Sequence, residues 1–128
     1  MPITNLCFEN GIFSAKESGQ ISGEDALLWV EALRACAEAS TALIVILIDA
    51  RELTFISTAA QKIFTKAAET SNVKVAVVAT GNPVATQLSR IVGLLSRVRQ
   101  THDTHVFQTL DEATQFARAQ ARESTARV

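Results

Sequence analysis

Residues Ala42 to Ile48, Ala-Leu-Ile-Val-Ile-Leu-Ile, form a run of seven apolar residues with no polar interruption. A strand with one face in water alternates apolar and polar residues. An unbroken run of this length predicts a strand covered on both faces, as in a parallel sheet flanked by helices. The run ends at Asp49, where a chain leaving the sheet meets water. A second apolar patch, Leu53 to Ile56, precedes Ser57-Thr58, a helix-start signal. The stretch from Ala42 to Ala60 therefore predicts an α/β protein and marks the edge of its sheet at which such folds bind their ligands and partners.

The flanking sequence extends this pattern. Ile3 to Phe8 and Ile12 to Glu17 flank Asn10-Gly11, a dipeptide that accepts the positive φ angles of a tight antiparallel hairpin. Gly19 is read as releasing the chain from the second strand. Ser22, with Asp25 three residues on, opens a helix from about Gly23 to Ala39. Leu27, Val30, Leu33 and Ala37 share one face of it at helical spacing. Trp29 is either a contact residue outside that stripe or part of the core. The central strand, Ala42 to Asp49, leads to a helix from Thr58 to about Thr70, capped by Ser57 and apolar along Ile63, Phe64, Ala67 and Ala68. Val73 to Ala79 reads as a strand. Gly81-Asn82-Pro83 breaks it and starts a helix reaching roughly Arg97, because proline suits a first helical turn. Thr104 to Gln108 is a short strand. Thr109 with Glu112 is a capping-box pattern opening a last helix to about Ala121. The order is ββαβαβαβα: a single mixed β-sheet that opens with an antiparallel hairpin and continues with alternating strands and helices, whose strands run parallel through right-handed crossovers. Residues 1–122 are expected to form one domain, with residues 123–128 as a frayed tail.

Composition bounds the function. A chain of 128 residues buries about two-thirds of the surface it exposes when unfolded, so it needs no disulfide or metal staple. Lys plus Arg is 12 and Asp plus Glu is 13, a formal charge of −1, so no overall basicity points to nucleic acid. Cys7 and Cys36 lie in apolar settings without metal-like spacing and read as buried free thiols in a reducing compartment. The N-terminus lacks the basic and apolar regions of a signal peptide. The apolar runs fall far short of the ~20 residues of a membrane helix. A cytoplasmic protein is expected, with peripheral membrane association left open.

The segment IDARELTFISTAAQ, Ile48 to Gln61, resembles the central segment of STAS domains, the fold of bacterial anti-sigma-factor antagonists, which commonly reads LDLSGVTFIDSSGL. Ile48-Asp49 matches the family's Leu-Asp, and Leu53-Thr54-Phe55-Ile56 its Val-Thr-Phe-Ile, without a gap. VKVAVVATGNP is similar to the following strand and loop, and VFQTLDEATQFA to the terminal strand and helix. The opening ENGIFSAKESGQISGEDALLWVEAL resembles the divergent SpoIIAA-like group, which is sometimes compared with lipid-binding Sec14 domains. The resemblance covers nearly the whole chain. It implies a regulatory, protein-binding module with a phospho-acceptor directly after the family's aspartate. Here the matching residues are Ser57-Thr58-Ala59-Ala60: Thr58 keeps the acceptor hydroxyl, Ser57 replaces the aspartate and Ala60 the glycine. The plain alternative is that Ser57 only caps the helix, contributing about 1 kcal/mol.

Other candidate chemistry is thinner. Gly81 and Asn82, between a strand and a helix, offer backbone N–H groups to an anion, but lack a P-loop ending or a dinucleotide-loop spacing; a plain turn explains them as well. His102 and His105 have no further His or Cys to complete a metal site. No nucleophile–base order or carboxylate pair stands out, so no catalytic residue, metal or cofactor is expected. The helix beginning at Pro83 is apolar beyond one face: Val84, Leu88, Ile91, Val92 and Leu95 form a core stripe, Leu94 and Val98 widen it, and Arg90, Arg97 and Arg99 add positive charge.

Two functions follow as expectations. The first is a non-enzymatic regulatory or protein-interaction module, switched at Thr58, with Ser57, Gln61, Lys62 and Thr65 contacting a protein partner or a second copy. The alternative is a small-molecule or lipid-binding module. Its apolar pocket would lie between the Pro83–Arg97 helix and the sheet, with Arg90 or Arg97 facing the ligand's acidic group and Ile91, Leu94 and Val98 forming a ligand or oligomer face.

Overall fold

The computed structural model describes residues 3–40, 44–67, 73–79, 83 and 103–126. It holds one five-stranded mixed sheet whose strands are ordered β1-β2-β3-β4-β5: β1 Ile3–Glu9, β2 Ile12–Ile21, β3 Ile44–Ile56, β4 Val73–Ala79 and β5 Asp103–Phe107. The helices are α1 Gly23–Ala39, α2 Thr58–Ala67 and α3 Leu110–Ala126. Only the first strand pair is antiparallel; the other three pairs are parallel. Pro83 is helical, and the rest of the helix expected after it lies outside the described residues.

The hairpin forms because Asn10 and Gly11 both take positive φ, 55° and 80°, the geometry a two-residue turn between twisted strands requires. The Gly11 carbonyl then accepts the Val45 N–H at 2.9 Å, which ties the turn to β3. The capping predictions hold at both ends of the chain. The Ser22 hydroxyl accepts the Asp25 N–H, and the Asp25 carboxylate accepts the Ser22 N–H at 2.9 Å. The Thr109 hydroxyl accepts the Glu112 N–H at 3.2 Å.

Several boundaries differ from the sequence expectations. β3 does not leave the sheet at Asp49 but continues to Ile56. Its neighbour explains this: β2 also runs past Gly19, to Ile21, and offers a continuous partner edge. Residues Ile12 to Ile21 lie opposite Val45 to Ile56, with register shifts at Lys16/Ser18 and Gly19/Gln20. β3 thus carries extra residues relative to β2, as β-bulges do. Each bulge resets the alternation, so Ala50, Leu53 and Ile56 all turn into the core at intervals of three. Gly19, with φ of +64°, absorbs one shift and does not end the strand. α3 extends past Ala121 to Ala126, so residues 123–126 are helical where a frayed tail was expected. β5 begins one position early, at Asp103.

Each face of the sheet carries its own core. On one face α1 and α2 pack over Phe13, Ala15, Ile21, Ile44, Ile46, Ala50, Leu53 and Ile56. On the other, Ala113, Ala117 and Ala121 of α3 lie against Val45 and Leu47. The doubly buried run therefore does what its sequence implies: Ile44 and Ile46 serve one core, Val45 and Leu47 the other. The inward stripe of α1 is Ala26, Trp29, Val30 and Leu33, and Leu27, expected inside, is 49% exposed. Trp29 takes the inward position because aromatic partners await it: its ring stands edge-on to Phe13 at 5.5 Å and to Phe64 of α2 at 5.3 Å. Cys7 is exposed and Cys36 half-buried, both unbridged. The expectation of two buried thiols fails at Cys7 because β1 is a sheet edge whose side chains from Asn5 onward are exposed.

Candidate functional site

The end of β3 and the start of α2 form a short, tightly specified corner. The Ser57 N–H donates to the Ile21 carbonyl at 3.0 Å, which holds the ends of β2 and β3 together. The Ser57 hydroxyl accepts the Ala60 N–H at 3.0 Å, and the Ser57 carbonyl accepts the first helical bond from the Gln61 N–H at 2.9 Å. Ser57 is therefore the N-cap. Gln61 bends back, its Nε2 donating to the Ile56 carbonyl at 3.1 Å. Ala60 is fully buried and Phe64 nearly so. A glycine at the position of Ala60 is dispensable here, because the Ala60 Cβ fills core space.

These bonds sort the candidate residues. Ser57 and Gln61 spend their polar atoms inside the corner. Thr58 is exposed, and its hydroxyl has no hydrogen-bond partner among the described residues. Lys62 lies one turn further along and is also exposed. Thr65 belongs to α2, but its side chain lies outside the described part. Gly81, Asn82, Arg90, Ile91, Leu94, Arg97 and Val98 all lie outside the described residues.

The surroundings of Thr58 are electrostatically distinctive. α1 carries Glu24 and Asp25 in its first turn, and α3 carries Asp111 and Glu112; α2 has no acidic residue there. The positive N-terminal end of α2 is thus left without a side-chain counter-charge of its own. The start of α1 sits against it: a Cβ on Gly23 would stand 3.2 Å from the Ala59 Cβ.

Sequence reasoning missed three charged features. Glu17 is buried, 3% exposed, on the face of β2 that also carries Phe13 and Ala15; burial pushes its carboxyl up to about 7. The signal was the alternation itself, because 13, 15 and 17 share a face of a strand. The second feature is a clamp across β3. Arg51 donates from Nε to Asp49 Oδ1 at 2.8 Å and from Nη2 to Oδ2 at 2.9 Å. The hydrogen bonds from Arg51 hold the Asp49 carboxyl below its usual range, against the opposing effect of its partial burial. Third, Lys16 pairs with Glu52 at 2.9 Å. These pairs explain how a strand continues through so charged a stretch. Among the described residues, no group of three or more His, Cys, Asp or Glu side chains is placed to hold a metal, and no helix is long and apolar enough to cross a membrane.

No family model matches the chain, and no curated protein matches it significantly. Solved structures do. An uncharacterized protein of the DUF3478 family with a SpoIIAA-like fold, from Shewanella loihica PV-4, aligns at a TM-score of 0.62 and 18% identity over 83% of each chain. An anti-sigma factor antagonist from Mycobacterium paratuberculosis aligns at a TM-score of 0.56 and 20% identity over 91% of each chain. Identity this low speaks to architecture alone: the chain has the SpoIIAA-like, STAS-type fold.

Proposed function

We propose that this chain is a non-enzymatic regulatory module that binds a protein partner through the start of α2, with Thr58 as its phosphorylation switch. The observation that carries the reading is the division of labour between neighbours: Ser57 caps the helix, leaving the Thr58 hydroxyl exposed and unengaged. A residue needed for folding would not be left so. The fold shared with an anti-sigma factor antagonist supports a regulatory role. The partner face comprises Thr58 and Lys62, framed by Ser57, Gln61 and Thr65, and the module works in the cytoplasm.

A phosphate on Thr58 adds about 1.5 to 2 negative charges where the helix dipole favours them and where α2 has no acid of its own. The domain therefore stays folded when modified. The switch acts outward, by changing the charge presented to the partner beside Lys62.

Native mass spectrometry of protein purified gently from its own host tests this. A mass increment of one phosphate that maps to Thr58, and a co-purifying protein that Thr58→Glu releases without lowering the melting temperature, is the expected result. Partner capture unchanged in both Thr58→Ala and Thr58→Glu removes the reading.

A further inference from the structure

We propose that a cleft on the other side of the sheet, between the β1–β2 hairpin and α3, binds a small amphipathic carboxylic acid. α3 covers mainly β3 and β4 and leaves the hairpin end of that face open. The floor is built from the cross-strand neighbours Glu9–Ile12 and Cys7–Ser14–Leu47. The wall is one stripe of α3, Thr114, Arg118, Ala121 and Arg122. Asn10 lines the turn end, and a Cβ built on the neighbouring Gly11 would stand 3.8 Å from the Ala121 Cβ. The cleft is half open to solvent, with a volume of about 740 Å³, within the roughly 300–1,000 Å³ typical of small-ligand sites.

The lining selects the ligand. Arg118 and Arg122 are exposed, one helical turn apart, and neither is paired with a carboxylate among the described residues. Arg51, by contrast, is committed to Asp49. Two guanidinium groups carried one helical turn apart into the same lining suit a planar oxyanion. Glu9 also lines the cleft, so two positive charges face one negative, and the balance fits a single negative charge better than a phosphate dianion. Ile12 and Leu47 of the floor and Ala121 of the wall supply an apolar surface for the body of the ligand. A carboxylate on a short alkyl or aryl body matches both halves. This site is distinct from the pocket expected beside the Pro83–Arg97 helix, and it lies across the sheet from α2.

Cys7 makes the cleft its own reporter, since its exposed thiol lies in the lining, while Cys36 packs against the opposite core and its thiol is pushed up by burial. The experiment measures iodoacetamide modification of each cysteine in the whole chain, by peptide mass spectrometry, against increasing octanoate. Octanoate is expected to protect Cys7 and leave Cys36 unchanged. Octanol, which lacks the charge, and inorganic phosphate, which lacks the apolar body, should each need about tenfold more for the same protection. The variant R118Q/R122Q, whose glutamines keep helix propensity, should weaken octanoate by about tenfold or more at an unchanged melting temperature, and R118Q alone by an intermediate factor. The proposal is overturned if octanoate leaves Cys7 unprotected, slows both thiols alike, is matched by phosphate, or protects R118Q/R122Q as well as the parent chain.

Discussion

Gly23 and Ala59 set how closely the starts of α1 and α2 approach: a Cβ built on Gly23 would stand 3.2 Å from the Ala59 Cβ and 3.8 Å from the Ile63 Cδ1. Ala59 Cβ is fixed to helical backbone and has no rotamer by which to yield. Gly23→Ala therefore separates the two helix starts by a few tenths of an ångström. Overpacking costs roughly 1–3 kcal/mol, partly offset by the better helix propensity of alanine, which is worth at most about 1 kcal/mol. A net loss of about 1 kcal/mol in urea unfolding is expected.

Ser57 and Thr58 are adjacent hydroxyls with different work. Removing the cap by Ser57→Ala should lower stability by about 1 kcal/mol. Thr58→Ala, at an exposed site without a hydrogen bond, should stay within about 0.5 kcal/mol of the parent. Chemical denaturation of the two variants side by side tests the distinction.

Glu17 should make the domain less stable as the solution becomes less acid. Its carboxyl keeps its proton in the folded protein up to about pH 7, against an ordinary value of 4.5. The unfolded chain ionises first and gains from it, so folding stability falls as pH rises from 4.5 to about 7 and levels off beyond. Glu17→Gln removes the titration. Relative to the parent it should gain on the order of 2–3 kcal/mol between pH 4 and pH 8. Parallel slopes for the two proteins in denaturation curves across that range would contradict the burial of Glu17.

Trp29 is the sole tryptophan, and its Nε1–H is buried without a hydrogen-bond partner among the described residues. Trp29→Phe loses ring volume but removes that orphaned donor and keeps an aromatic edge for Phe13 and Phe64. The offset should hold the loss below about 1.5 kcal/mol, against 3 kcal/mol or more for Trp29→Ala. The parent's emission should be blue-shifted, as for an indole out of contact with water.

What was legible in the sequence was local or periodic. Asn10-Gly11 announces its turn because few dipeptides accept its backbone angles. Ser22 with Asp25 and Thr109 with Glu112 announce helix starts because the bonded groups are three residues apart. The path of β3 beyond Asp49 was hidden because its charges are neutralised by Arg51 nearby and by Lys16 on another strand, and because its continuation depends on the length of β2. The choice of Trp29 over Leu27 as a core residue was hidden for a similar reason: both are apolar, and only the positions of Phe13 and Phe64 decide between them. At the candidate site, Ser57 as cap followed from its residue type, while the engagement of Gln61 with the Ile56 carbonyl required the corner to be built. The cleft beside α3 joins segments about a hundred residues apart in sequence, and no spacing rule connects them.

β1 carries one extra residue relative to β2 between Thr4 and Cys7, and this bulge has a consequence for how copies of this chain meet. β1 is the terminal strand on its side of the sheet and displays Leu6 and Phe8, the kind of sticky margin on which strands from other molecules can polymerise. Asn5, at φ of +56°, breaks the register between Thr4 and Cys7 and bends the row of outward-facing amides. An incoming strand can follow that margin for only a few residues before its ladder falls out of step. The extra residue between Thr4 and Cys7 thus shortens the straight edge that β1 offers a neighbouring strand.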